Sequence, residues 1–166
     1  MNPSIHISSA RKGKAVEHLV AAFCVLGSDG ELNAWTSIVD DESVDLVFQP
    51  REQPQTISVQ VKCRLTTAKG LAERQRFQTQ VRSQTFRPRP DLYMLFVVAD
   101  PQRLDIGPLW LVPSERFAAL SPVKSNGKHK FNASAKEGSE DMWAPFLVSK
   151  SELPTHLLAA LRDGSG

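Results

Sequence analysis

The chain has 166 residues, 41% of them apolar and 23% charged, with a formal net charge of +2. That length and balance fit one globular domain and argue against a disordered tail protein. No apolar run approaches the ~18 residues of a membrane span. Met1 to Ser9 lacks the basic start and apolar stretch of a secretory signal, so a cytoplasmic protein is expected.

The first periodic segment is Ala10 to Leu26. Val16, Leu19, Val20, Phe23 and Leu26 fall at helical spacing, with Ser8 or Ser9 to cap the start and Gly27 to end it. Glu17 lies beside that apolar face, not opposite it. Strands are expected at Trp35–Val39 and at Val44–Phe48, the second entered from the acidic turn Asp40-Asp41-Glu42-Ser43. The prolines of Gln49-Pro50-Arg51-Glu52-Gln53-Pro54 mark a turn. Thr56–Leu65 then alternates. Ile57, Val59, Val61, Cys63 and Leu65 face one way, and Ser58, Gln60, Lys62 and Arg64 the other.

Residues 67–85 are polar and basic around Leu71, Phe77 and Val81 and read as a helix, broken by Arg87-Pro88-Arg89-Pro90. Tyr93–Ala99 is a continuous apolar run, suited to a strand buried on both faces. Leu109–Val112 is a further strand, and Ser114 caps a short helix through Ala119. Ser121–Gly127 is a loop, followed by weaker strands at Lys128–Ala133 and Pro145–Val148. Ser149-Lys-Ser-Glu152 has the capping-box pattern before a last helix near 151–162, and the end from Asp163 on reads as frayed. This order implies one α/β domain over 1–166 with a mixed sheet, its core at 10–100 and C-terminal strands and helix over 105–162.

The small net charge conceals a segregation. Residues 62–89 carry eight basic side chains against Glu73 alone, a net of +7, while residues 1–61 carry −4. A basic block beside an acidic one suits a polyanion surface next to a metal site. Within that block, Arg64, Lys69, Arg74, Arg76 and Arg82 are the candidate phosphate contacts, giving salt-sensitive DNA binding.

Two cysteines, Cys24 and Cys63, cannot staple a domain of this size and read as reduced thiols, with Cys63 on the apolar side of its strand. His6, His18, His129 and His156 are too scattered for structural zinc. His129, between Lys128 and Lys130, is expected on a solvated hairpin. Trp35, Trp110 and Trp143 have flanks that suit core or rim packing. Walker, GxGxxG, GxSxG and HExxH patterns are all absent, which removes the main support for their enzyme classes.

The chemistry-bearing residues are Glu17, Asp45, Gln60 and Lys62. If the strands at 44–48 and 56–65 form a hairpin, Asp45, Gln60 and Lys62 converge on one sheet surface. Cutting a phosphodiester requires an attacking water, neutralised phosphate charge and help for the leaving oxygen. Mg²⁺ or Mn²⁺ serves the last two needs when held by hard oxygens: the Asp45 carboxylate, the Gln60 amide, the Val61 carbonyl and the Glu17 carboxylate. Lys62 beside the metal would orient the water and stabilise developing charge.

The segments Gly13-Lys-Ala-Val-Glu17, Val44-Asp45-Leu46-Val47 and Val59-Gln60-Val61-Lys62-Cys63 resemble the PD-(D/E)XK nuclease superfamily. They are similar in particular to archaeal-type Holliday-junction resolvases and their bacterial relatives. The resemblance covers residues 11–65. It implies a restriction-endonuclease-like three-layer fold, a central mixed sheet flanked by helices, and a Mg²⁺-dependent endonuclease acting on DNA. In that pattern Asp45 matches the metal-binding aspartate, Gln60 the second acid, Lys62 the catalytic lysine and Glu17 the helix glutamate. Two positions depart from it: Val44 replaces the proline, and Gln60 is an amide where the family has a carboxylate. The amide motivates an alternative, a nuclease-like fold that binds DNA or a protein without cutting. A homodimer and a partner protein for targeting are further expectations of the resemblance; a membrane partner is not.

Overall fold

The computed structural model describes residues 9–36 and 43–163. Ser8, residues 37–39 of the first expected strand, Asp40-Asp41-Glu42 of the acidic turn and Gly164 to Gly166 lie outside the described residues. The described chain runs α1 (Ser9–Gly27), β1 (Leu32–Thr36), β2 (Leu46–Pro50), β3 (Ile57–Leu65), α2 (Lys69–Arg74), β4 (Arg76–Arg82), β5 (Leu92–Asp100) and β6 (Asp105–Pro113). It continues through α3 (Ser114–Leu120), β7 (Lys128–Ser134), a 3₁₀ turn (Ala144–Phe146), β8 (Leu147–Val148) and α4 (Leu153–Asp163).

Six strands form one mixed sheet in the order β1-β2-β3-β5-β6-β8, and β4 pairs with β7 in a separate ribbon. Among the described strands, only β3 and β5 run parallel, from Ser58↔Leu92 to Leu65↔Ala99. Their crossover carries α2 and β4. The sheet's two faces bury two clusters. Val16, Val20 and Cys24 of α1 and Leu153, Leu157 and Leu161 of α4 pack on Val59, Val61, Leu95 and Val97. On the other face Phe77, Phe131, Phe117 and Trp143 pack on Met94, Phe96, Val98 and Trp110. The expected α/β class with a central mixed sheet flanked by helices is therefore what the chain adopts. β5 is apolar on both faces because both faces are covered. Among the described residues, no helix is long and apolar enough to cross a membrane.

The capping box forms as its residues specify. The Glu152 carboxylate accepts the Ser149 N–H at 3.1 Å, and the Glu152 N–H donates to the Ser149 hydroxyl at 3.2 Å. α1 ends at Gly27, where a Cβ would stand 3.0 Å from the Pro154 ring, so the glycine lets α4 close on α1.

Several expectations are corrected. Residues 67–85 are not one helix: α2 stops at Arg74, Gln75 takes a left-handed φ of 50°, and Arg76–Arg82 is a strand. In Arg76-Phe-Gln-Thr-Gln-Val-Arg82, Phe77 and Val81 enter the second cluster while the arginines at either end and both glutamines point away from it. Burial of that pair against the sheet outweighs the helical preference of Gln and Arg. Pro50 ends β2 opposite Leu32 and does not break it, since its strand carries on to pair with β1. Ser114 does not cap α3; its hydroxyl bonds the Arg89 backbone, donating to the carbonyl and accepting the N–H, both at 2.9 Å. Nor is His129 solvated. It is buried edge-on against Phe86 and bonds the Ser121 carbonyl. Trp110 and Trp143 are core residues, whereas Trp35 is half exposed.

Candidate active site

The site is built where β2 stops short of β3. The two strands pair antiparallel only from Phe48↔Ile57 to Leu46↔Val59. β3 continues for six more residues, held on its other edge by β5. Among the described strands, none pairs with the β2-side edge of β3 beyond Val59. The chain enters this gap through Ser43, whose hydroxyl donates to the Thr85 carbonyl at 3.3 Å. Asp45 follows. Its N–H donates to the Val59 carbonyl at 3.0 Å, and its carboxylate accepts the Val61 N–H at 2.6 Å. These two bonds straddle Gln60 and set Asp45 beside it. A residue's N–H and C=O leave a strand on the same edge, so the Val61 carbonyl is directed toward the Asp45 side as well.

Strand alternation sorts the remaining groups. Val59 and Val61 face α1, and Gln60 and Lys62 face the opposite way, on the side shared by Val47 and Ser58. Gln60 is only 4% exposed, and its Oε1 has no hydrogen-bond partner among the described residues. An orphaned buried carbonyl costs about 1–3 kcal/mol. Glu17 approaches from α1, on the other side of the open edge. It is mostly buried and paired with Lys14 at 2.7 Å.

Electrostatics ties these groups together. Burial raises the Asp45 carboxyl from 3.8 to about 6, partly offset by the Val61 N–H; the Glu17 charge pushes it further up, while Lys62 and Lys14 pull it down. Asp45 therefore feels one carboxylate and two ammonium groups from α1 and β3. A desolvated carboxylate, an amide oxygen without a donor, a directed backbone carbonyl and a second carboxylate make a set of hard oxygens. Such a set can take a divalent cation of the magnesium or manganese kind. Among the described residues there is no cluster of three or more His, Cys, Asp or Glu side chains, so the set depends on the amide and the carbonyl.

No family model matches the sequence, and neither does any curated protein. The fold is similar to that of a solved bacterial homing endonuclease, I-Ssp6803I. The two superpose with a TM-score of 0.57 over 96% of this chain and all of the other, at 15% sequence identity. The chain has a nuclease-like fold.

The five basic residues lie on three elements, because α2 and β4 stand where one helix is expected over 67–85. Arg64 lies on β3, two positions past Lys62 on the same side. Lys69 and Arg74 are on α2, and Arg76 and Arg82 stand at opposite ends of β4. Arg64 Nε donates to the Gln78 carbonyl at 2.9 Å, which joins β3 to β4. Arg76 Nε donates to Asn132 Oδ1 at 3.1 Å, which joins β4 to β7. Sequence reasoning missed Lys14, although its place three residues before Glu17 is the spacing of a helical ion pair. It also missed Gln78 and Asn132. They sit opposite each other in the β4–β7 register, a pairing invisible while β4 is taken for helix.

Proposed function

We propose that the chain is a metal-dependent DNA endonuclease of the PD-(D/E)XK type, hydrolysing phosphodiesters at the gap between β2 and β3. The observation that carries this reading is the unsatisfied Gln60 Oε1 beside the desolvated Asp45 carboxylate, with Lys62 two residues along the same face. Asp45, Gln60, the Val61 carbonyl and Glu17 would hold Mg²⁺ or Mn²⁺. Bound there, the cation would supply positive charge to the phosphate and to the leaving oxygen. Lys62 Nζ donates a hydrogen bond to a non-bridging phosphoryl oxygen and orients the attacking water. Lys14 holds the Glu17 carboxylate in place. Arg64, Lys69, Arg74, Arg76 and Arg82 draw the DNA backbone toward the site. The homing endonuclease with a similar fold supports the same activity class.

Supercoiled plasmid incubated with the purified chain and Mn²⁺ or Mg²⁺ tests this. Nicking or linearisation is expected, and Lys62→Ala should lower the rate on the order of 100-fold or more while folding normally. Equal cleavage by wild type and Lys62→Ala would assign the activity to a contaminant.

A second reading rests on the amide itself. Gln60 is a weaker cation ligand than a carboxylate, which favours a module that binds DNA without cutting it. Calorimetric titration with Mn²⁺ separates the two: saturable binding lost in Asp45→Asn supports the enzyme, and no saturable heat supports the module.

A further inference from the structure

Arg64, Lys69 and Arg76 come from three different elements, β3, α2 and β4, yet line one cavity of about 240 Å³. Its remaining walls are Ala68, Gly70, Leu71 and Gln78, so no acidic side chain among the described residues lines it. Three like charges around one cavity repel one another, and no described group neutralises them there. Lys69 makes no ion pair among the described residues. Both arginines are anchored through Nε alone, to the Gln78 carbonyl and to Asn132 Oδ1. Their Nη groups have no partner among the described residues. A guanidinium fixed at Nε with a free fork is prepared for an oxyanion with several acceptor oxygens. The walls are held firmly as well. A Cβ on Gly70 would come within 3.1 Å of the Arg76 carbonyl, so the first turn of α2 is pressed against the start of β4.

We propose that this cavity seats one phosphate group of a nucleic-acid backbone, the neighbour of the phosphate attacked at Lys62. Arg64 and Lys62 point to the same side of β3 two residues apart, about 7 Å along the strand, a span that one nucleotide bridges. The seat fixes the register of the backbone over Asp45, Gln60 and Lys62. Arg74 and Arg82, exposed and outside the cavity, contribute only to the general positive field. The assignment of the neighbouring phosphate rests on the endonuclease reading; the seat itself does not.

The test is DNA binding in EDTA, where cleavage plays no part. Fluorescence anisotropy of a labelled duplex is followed across a salt series for the wild type, Arg64→Gln/Arg76→Gln and Arg74→Gln/Arg82→Gln. The first double variant should lose roughly tenfold or more in affinity. Its slope of log affinity against log salt should fall by about one, although two charges are gone, because one phosphate is released. The second should lose less affinity. Equal losses and equal slope changes in the two double variants would overturn the seat in favour of a diffuse field. Arg76 also supports Asn132, so Lys69→Gln, which breaks no ion pair or side-chain hydrogen bond among the described residues, provides an independent arm; unchanged affinity there also counts against the seat. Inorganic phosphate is the third arm. If it binds the wild type tightly while the cavity variants keep full DNA affinity, the cavity serves a free anion and the backbone assignment fails. Plasmid cleavage by the wild type with Mn²⁺ separates the two ideas: if the wild type never cuts yet the variants keep this pattern of binding in EDTA, the seat stands while the endonuclease reading falls.

Discussion

Asp45 makes the site expensive to maintain. With its carboxyl raised from 3.8 to about 6, chiefly by burial, ionised Asp45 opposes folding by about 3 kcal/mol. The sign runs against the usual carboxylate case. Below 3.8 the group is neutral folded and unfolded, and nothing is lost. Between about 4 and 6 the unfolded chain releases its proton first, so this group's contribution to stability declines as pH rises. Above 6 the full penalty applies. Asp45→Asn keeps an acceptor for the Val61 N–H and removes the charge. It should therefore raise stability at pH 8 by up to about 3 kcal/mol in metal-free buffer, with the gain vanishing near pH 3.5, as read by urea unfolding at the two pH values. A variant less stable at pH 8 would mean that the carboxylate is not strained. Gln60→Glu tests the neighbouring position. A second carboxylate beside Asp45 should tighten Mn²⁺ binding and, without metal, destabilise the fold by like-charge repulsion. Unchanged Mn²⁺ affinity would place Gln60 away from the cation.

At the scale of elements, legibility in the sequence followed how local the determining contacts are. α1 and β3 could be read because their periodicity spans nine or more residues and each face meets one environment, and β5 because its apolar run is unbroken over Tyr93–Ala99. The capping box before α4 could be read because both partners lie within four residues. Removing its hydroxyl by Ser149→Ala should lower the unfolding midpoint by about 3 °C, with β-sheet signals unaffected. β4 could not be read that way. Its seven residues carry only Phe77 and Val81 as large apolar groups, and what makes them a strand is β7, nearly fifty residues away. Ser114 and His129 were misplaced for the same reason, since their partners, Arg89 and Ser121 with Phe86, are set by tertiary packing. The candidate site was legible in its residue types and in the β2–β3 hairpin. Its decisive features, the early end of strand pairing and the burial of Gln60, emerge only when the chain is folded.

Over the whole molecule, the two proposed binding functions draw unequally on the two cores, although Gln60 and Lys62 face the second cluster's side of the sheet. Asp45, Gln60 and Glu17 rest on the large sheet and on α1, which α4 backs through Leu153, Leu157 and Leu161. The ribbon that carries Arg76, Gln78 and Asn132 is hydrogen-bonded into neither edge of that sheet. It is held chiefly by aromatic packing. Phe131 of β7 stacks on Phe96 of β5 with centroids 3.6 Å apart, and Phe77 of β4 meets Phe96, Trp110 and Phe131 edge-on. Loosening that packing should shift the ribbon relative to β3, and the Arg64–Gln78 bond that spans the two would weaken. Phe131→Leu removes the stack yet keeps an apolar group. It should cost about 1–3 kcal/mol of stability and lower DNA affinity at temperatures where the chain remains folded. Mn²⁺ affinity should fall less than DNA affinity, because Asp45 is fixed by the backbone of β3 and Glu17 by α1, not by the ribbon. Leu157→Ala should act in the opposite sense, costing about 2–5 kcal/mol through the core beneath α1, with metal affinity disturbed before DNA affinity. Calorimetry with Mn²⁺ and anisotropy with DNA on both variants would reveal the crossed pattern. Parallel losses of both ligands in both variants would show that the two faces of the sheet act as one unit, and that the backbone seat and the metal pocket are not separable.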